Sequence, residues 1–470
     1  MNANASSPRD AAATATLSAT SRCIMLAAAF LGWMCAGMHL AINSLVMRVA
    51  AADLLPAGAG EGEIAQWFGW LTCAFLFGAA TGGYLFGYLG DRIGRAKAMA
   101  ASILCYSLFS AATYLVRDPT QLLLLRFLTC LGVGGIWPNG IALVSEAWPN
   151  LSRPFLAGAI GTAANVGILG FALLTAVKYV EPGDWRWTFL VGATPVFLGI
   201  VSWLMVPESP RWLAIQRQLI AETAGATRVG LGEIFRPPVL RTTIMGILLG
   251  TVPLFGGWGV ANWANAWASE VGDTAKASES APLTSYPLPM GEGRVREQDA
   301  NSTTTALRAE SDPALKSRTL IARSLPGSIS SLLGGALAFW LGRKRSYFLL
   351  SLCALVCTQF LFRVDDPGDP ESGFLFWNAA LGFFSGFFFG WLPLCLPEMF
   401  PTRVRSAGAG VSFNWGRILA GVGVLVSAAV LEDALKGQYD VVGQYTGLVY
   451  ALGMVVILLA PDTSDKDFND

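Results

Sequence analysis

Residues 87–97 read Gly-Tyr-Leu-Gly-Asp-Arg-Ile-Gly-Arg-Ala-Lys, between one apolar run from Ile64 to Phe86 and another from Ala98 to Val116. Apolar runs of this kind predict membrane-spanning helices of about 20 residues each. Gly87, Gly90 and Gly94 let backbones approach and the chain reverse, whereas Asp91, Arg92, Arg95 and Lys97 cost too much to bury in lipid and belong at its edge. Basic charge at such an edge marks the cytoplasmic side.

A weaker copy of the phrase stands at residues 335–344, Gly-Ala-Leu-Ala-Phe-Trp-Leu-Gly-Arg-Lys, with Phe339 and Trp340 in the places of Asp91 and Arg92. A second phrase repeats too: Glu146, Pro149 and Arg153 have the spacing of Glu398, Pro401 and Arg405. Asp91 lies 55 residues before Glu146, and Phe339 lies 59 before Glu398, so order and register recur within about a helical turn. The chain is two copies of one plan.

On these phrases the chain resembles the major facilitator superfamily, in which Gly-x-Leu-x-Asp-Arg-x-Gly-Arg joins helices 2 and 3 and recurs, often degraded, between helices 8 and 9. Residues 206–213, Val-Pro-Glu-Ser-Pro-Arg-Trp-Leu, are similar to the sugar-porter phrase after helix 6, and Pro397 to Arg405 to the one after helix 10. Residues 134–140, Gly-Gly-Ile-Trp-Pro-Asn-Gly, with Asn414-Trp415-Gly416-Arg417, are closer to the bacterial metabolite:proton and sialate-type symporters. The resemblance implies an all-α membrane protein of about twelve transmembrane helices in two pseudo-symmetric six-helix bundles, each built of inverted three-helix repeats.

Composition agrees. With 53% hydrophobic and 14% charged residues, the chain of 470 is too apolar for a soluble globule and long enough for about twelve spans. Its net charge of zero argues for no nucleic-acid partner. All eight cysteines fall in apolar runs without Cys-x-x-Cys spacing, so no metal and no cofactor is expected. Apolar windows place spans at about 23–49, 64–87, 98–116, 121–147, 154–180, 187–206, 241–268, 319–342, 346–363, 373–396, 405–431 and 441–460. A disordered tail (1–22) precedes the first bundle (23–206), a linker (207–240) follows it, and a tail (461–470) follows the second bundle (241–460). Residues 270–317 are polar and read as a disordered extracytoplasmic insertion. Loops with Arg92, Arg153, Arg211, Arg343 and Arg403 share one side, which puts both termini in the cytoplasm of a bacterial inner membrane.

By resemblance, Asp91, Arg92 and Arg95 form a gate against the other half, with Glu146, Arg153, Glu398 and Arg405 as its charge clusters. The plainer reading makes them a topology-setting turn and structural clips. Inside the apolar spans His39, Arg126 and Arg417 are the ionisable residues singled out, and such groups face a cavity or one another. Arg126 opens the helix-4 phrase Arg-x-x-x-Gly-x-Gly of the superfamily, with Cys130 in place of the first Gly. Helix packing competes with substrate binding there. Arg417 follows Asn414 by one turn, and its guanidinium fork suits a carboxylate. Asn165, Trp258, Asn262 and Trp391 complete the expected substrate walls as a set, since any single Trp is more often an interface anchor or lipid-facing residue.

Related proton symporters carry Asp-Gly-x-Asp in span 1, where this chain has Ala36-Gly37-Met38-His39. Either coupling is lost, or His39 carries the proton. The expected activity is proton-coupled symport of a small organic solute, organic or sugar acids favoured, by a monomer in the lipid bilayer. A facilitator or exchanger of the same fold and a non-transporting membrane sensor are the alternatives. One histidine and no nucleophile cluster leave an enzyme little to work with.

Overall fold

The computed structural model describes residues 17–56, 58–148, 153–221, 232–260, 263–264, 267–268, 315–423 and 438–463. The insertion predicted at 270–317 lies outside them except for its last three residues. So do the tail predicted at 461–470, beyond residue 463, and most of the tail predicted at 1–22.

The first half consists of α1 (Ala19–Leu45), a short α2 (Met47–Leu54), α3 (Glu61–Ile93), α4 (Arg95–Thr113), α5 (Pro119–Ala147), α6 (Arg153–Val177), α7 (Trp187–Ala193) and α8 (Val196–Met205). Helix α9 (Pro210–Ala221) lies in the linker. The second half holds α10 (Leu240–Phe255), α11 (Leu315–Leu341), α12 (Arg343–Leu361), α13 (Phe374–Met399), α14 (Arg405–Asn414), α15 (Tyr439–Gly447) and α16 (Val449–Leu459). Nine helical stretches among the described residues are long and apolar enough to cross a membrane.

Local chemistry sets the ends. The Asp118 carboxylate accepts the Gln121 backbone N–H at 2.9 Å and Pro119 opens α5, the preferred N-terminal arrangement. The phrase at 87–97 is helical nearly throughout, and the reversal falls on one residue: Gly94, at φ 110°, ends α3 and starts α4. Gly342, its counterpart in the repeat, does the same between α11 and α12 at φ 88°. Positive φ favours glycine, which is why the two phrases keep this position even where the acid has gone. Five predicted spans are interrupted: the first at Val46, the twelfth at Leu448, and three more. The sixth breaks between α7 and α8 at Pro195, the seventh passes from α10 into a π-helical turn at Gly256–Val260, and the eleventh breaks at Trp415 and resumes over 416–423. Pro195, which lacks an N–H, accounts for the break in the sixth, and Pro253 precedes the one in the seventh.

The halves meet through α6 against α11 and α3 against α14. The approach is close enough that a Cβ on Gly335 would lie 1.9 Å from the Pro154 carbonyl oxygen. Large apolar side chains such as Val177, Phe197, Leu204, Trp340 and Leu459 face outward, a surface that suits lipid and not water.

Candidate functional site

A cavity of about 100 Å³ lies between the halves, walled by α1, α6, α10, α11, α13 and Arg417. Trp33, Leu254 and Phe389 give it apolar faces, and Asn165, Arg323 and Arg417 bring polar groups. On three of its lining residues a buried donor has no hydrogen-bond partner among the described residues: Trp33 Nε1, Arg323 Nη1 and Arg417 Nε. Among the described residues, no aspartate or glutamate lines this cavity. A second void, about 20 Å³ between Ile141, Leu156, Ile160 and Leu394, is too small and too apolar to be a solute site.

Arg417 donates to Asn414 Oδ1 at 2.8 Å, and its guanidinium lies 5.4 Å from the Phe413 ring and 5.7 Å from Phe75. Arg126, from the other half, lies 5.3 Å from the same Phe75 ring. One aromatic side chain thus carries a guanidinium from each half, where ring quadrupoles replace part of the lost hydration. Phe413 continues the column by stacking on Trp137 at 3.9 Å. Neither arginine pairs with a carboxylate among the described residues.

Arg126 is absent from the cavity wall. It donates to the His39 backbone carbonyl at 2.8 Å and to Asn43 Oδ1 at 3.4 Å. His39 is also away from the wall, buried with its ring 5.3 Å from Tyr106. Its Nε2 lies 3.1 Å from the Gly192 carbonyl, which requires that nitrogen to carry the hydrogen, and Nδ1 has no partner among the described residues. Asn165 lines the cavity and donates to Ser331 Oγ at 2.8 Å. Asn414 donates to the Gly134 carbonyl across the halves at 3.2 Å. Trp391 sits elsewhere, with Nε1 on the Arg343 carbonyl at 2.9 Å. The Trp258 and Arg153 side chains and all of Asn262 lie outside the described residues.

At the basic end of the bundle the remaining charges converge. The Asp91 carboxylate accepts N–H groups of Ser406 and Ala407 at 3.2 and 2.8 Å, so it caps α14 of the other half. Arg95 lies 3.1 Å from Asp91 and 3.4 Å from Glu146, and donates across the halves to the Thr402 carbonyl at 2.9 Å. Arg405 reaches Glu146 from the second half at 3.4 Å. All four side chains are buried. Arg92 stands apart, exposed and bonded to Tyr88 Oη at 2.7 Å. The second half repeats the pair: Arg343 lies 3.3 Å from Glu398.

Sequence reading missed Trp33, Arg323, Glu208, Ser209 and Thr463 as contributors. Arg323, inside the eighth span, was passed over although it obeys the same rule that picked out Arg417. Glu208 accepts the N–H groups of Arg95 at 2.8 Å and Ala96 at 3.1 Å, capping α4. Burial, the largest influence, pushes the Glu208 carboxyl above its ordinary value, against the N–H groups and Arg95, which pull it down. Ser209 donates to Glu146, and Thr463 donates to Glu398 at 3.0 Å. The signal was present: Pro207-Glu208-Ser209 and Pro461-Asp462-Thr463 follow the sixth and twelfth spans in the same order.

A pseudo-symmetric helical bundle with an inter-half cavity and charge clusters at one end defines a membrane transporter of organic solutes. The chain belongs to the Major Facilitator Superfamily, whose sequence profile matches residues 34–290, while the Sugar (and other) transporter profile matches 331–470. It is 25% identical over 462 residues to the niacin transporter NiaP of Acinetobacter baylyi, covering 93% of each chain. It is 27% identical over 425 residues to the 3-(3-hydroxy-phenyl)propionate transporter of Escherichia coli, covering 88% of this chain and 92% of the relative. The fold matches the proton:xylose symporter XylE with a TM-score of 0.67 at 18% identity, over 96% of this chain and 98% of that one. These likenesses are to transporters and not to enzymes.

Proposed function

We propose that the protein moves a small organic acid across the bacterial inner membrane by alternating access, as a monomer with both termini in the cytoplasm. The observation that carries the substrate class is the cavity wall, where Trp33, Arg323 and Arg417 each have a buried donor without a partner among the described residues, and no carboxylate lies among the described lining residues. Unpartnered buried donors are costly, and a solute rich in acceptor oxygens relieves the cost. Two guanidiniums favour a negative solute over a neutral one. The names of two relatives, for niacin and for 3-(3-hydroxy-phenyl)propionate, also point to small organic solutes.

Asp91, Arg95, Glu146 and Arg405 act as the cytoplasmic gate, closed here, which a cycle must open by parting Asp91 from α14. Arg343 with Glu398 serves as the matching cluster of the second half. Proton symport runs through His39, whose free Nδ1 takes the proton and whose backbone carbonyl holds Arg126. A facilitator or exchanger is the second reading, favoured by the absence of a cavity carboxylate. Counterflow in proteoliposomes tests the class: labelled carboxylates should exchange and neutral sugars should not. Exchange of sugars alone would overturn it.

A further inference from the structure

The two arginines of the cavity are set at different depths. Arg323 Nη2 donates to the Gly257 carbonyl at 3.2 Å, in the π-helical turn that follows α10. Gly416, beside Arg417, packs on Thr251, six residues earlier along that segment. At 1.5 Å per residue those levels differ by about 9 Å. The side chains also diverge, because Arg417 bends toward Asn414, one turn nearer the basic end, while Arg323 reaches to Gly257 at the opposite end. The rest of the cavity wall is largely apolar, with Leu40, Ile168, Leu254 and Phe389, and Trp33 Nε1 is a donor without a partner among the described residues.

A single carboxylate cannot sit on both guanidiniums at that separation. A monocarboxylate held by one leaves the other buried with a free donor and no counter-charge, an expensive arrangement. We infer that the solute is a dicarboxylate with a short apolar body, one carboxylate on Arg417 and the other on Arg323, which makes Arg323 a specificity-determining residue. This rests on the organic-acid reading above and narrows it.

Calorimetric titration of the purified full-length protein with succinate, glutarate and adipate, against butyrate, valerate, caproate and neutral glucose, tests it. At least one dicarboxylate should bind about tenfold or more tighter than its chain-matched monocarboxylate. In Arg323→Gln that preference should vanish. Equal binding of both series by the wild-type protein overturns the dicarboxylate assignment and leaves the organic-acid reading standing. Binding of glucose with no carboxylate overturns both. The wild-type comparison decides by itself, so a failure of Arg323→Gln to fold does not shelter the proposal. If that variant folds and keeps the preference, Arg323 is not the second ligand.

Discussion

Asp91 and Ala407 belong to different halves, and the Asp91 carboxylate accepts the Ala407 backbone N–H at 2.8 Å. The bond ties the last turn of α3 to the first turn of α14, so it must break when this end opens. Asp91→Asn keeps the shape and an acceptor oxygen but loses the charge that complements the helix terminus. Transport should slow by about tenfold or more, while solute affinity changes only a few-fold. Normal uptake by the variant would remove the gate role.

Glu146 and Glu398 are equivalents in unequal surroundings. Glu146 faces Arg95 and Arg405 with its side chain fully buried, whereas the Arg343 and Glu398 side chains keep 12% and 9% exposure. Removing the acid from a buried cluster strands its cations, at a cost of roughly 3 kcal/mol or more. Glu146→Gln should therefore lower the melting temperature in detergent more than Glu398→Gln does. The reverse order would contradict the assignment of Glu146 as the hub.

Arg417→Lys conserves charge and loses the planar fork that Asn414, Phe413 and Phe75 hold in place. An ammonium acts as a point charge with weaker stacking, so affinity for a carboxylate should fall by about tenfold. Titration calorimetry reads this, and unchanged affinity would point to a purely structural Arg417.

His39→Gln can still donate to the Gly192 carbonyl but cannot take a proton. Proton-driven accumulation should disappear while counterflow exchange survives. If the variant accumulates solute as well as the wild type does, His39 is not the carrier.

Glu208 gives a pH dependence whose sign is fixed by burial. Its carboxyl is raised in the docked state, so that state binds the proton more tightly than the released one. Docking of residues 207–212 on α4 is then strongest below the ordinary glutamate range and weakens as pH rises through the raised value. Glu208→Gln removes the titration. Melting temperatures of the two proteins should converge at the acidic end and the wild type should lose ground as pH rises; a constant difference would refute this.

The membrane class, the two-fold repeat and the charges at the basic end were all legible in the chain. Hydrocarbon forbids unpaired backbone and unpaired charge, so long apolar runs must be spans and basic phrases must be their edges. Gly94 and Gly342 were legible for a similar reason, since a one-residue reversal at positive φ favours glycine. Residue spacing along one helix also placed Arg417 beside Asn414. What it could not decide was which buried polar groups share a space. Arg126 and Arg417 look alike in sequence, yet only Arg417 lines the cavity, while Arg126 is turned to the His39 carbonyl. Trp33 lines it although nothing in its own segment marks it, whereas Arg323, an arginine inside an apolar span, was marked by the same rule as Arg417. The partner of Asp91 is a backbone N–H 316 residues away, and a backbone donor leaves no trace in side-chain identity. Such pairings depend on how α1, α6, α11 and α13 pack, and packing joins residues far apart in the chain through contacts that no local pattern encodes.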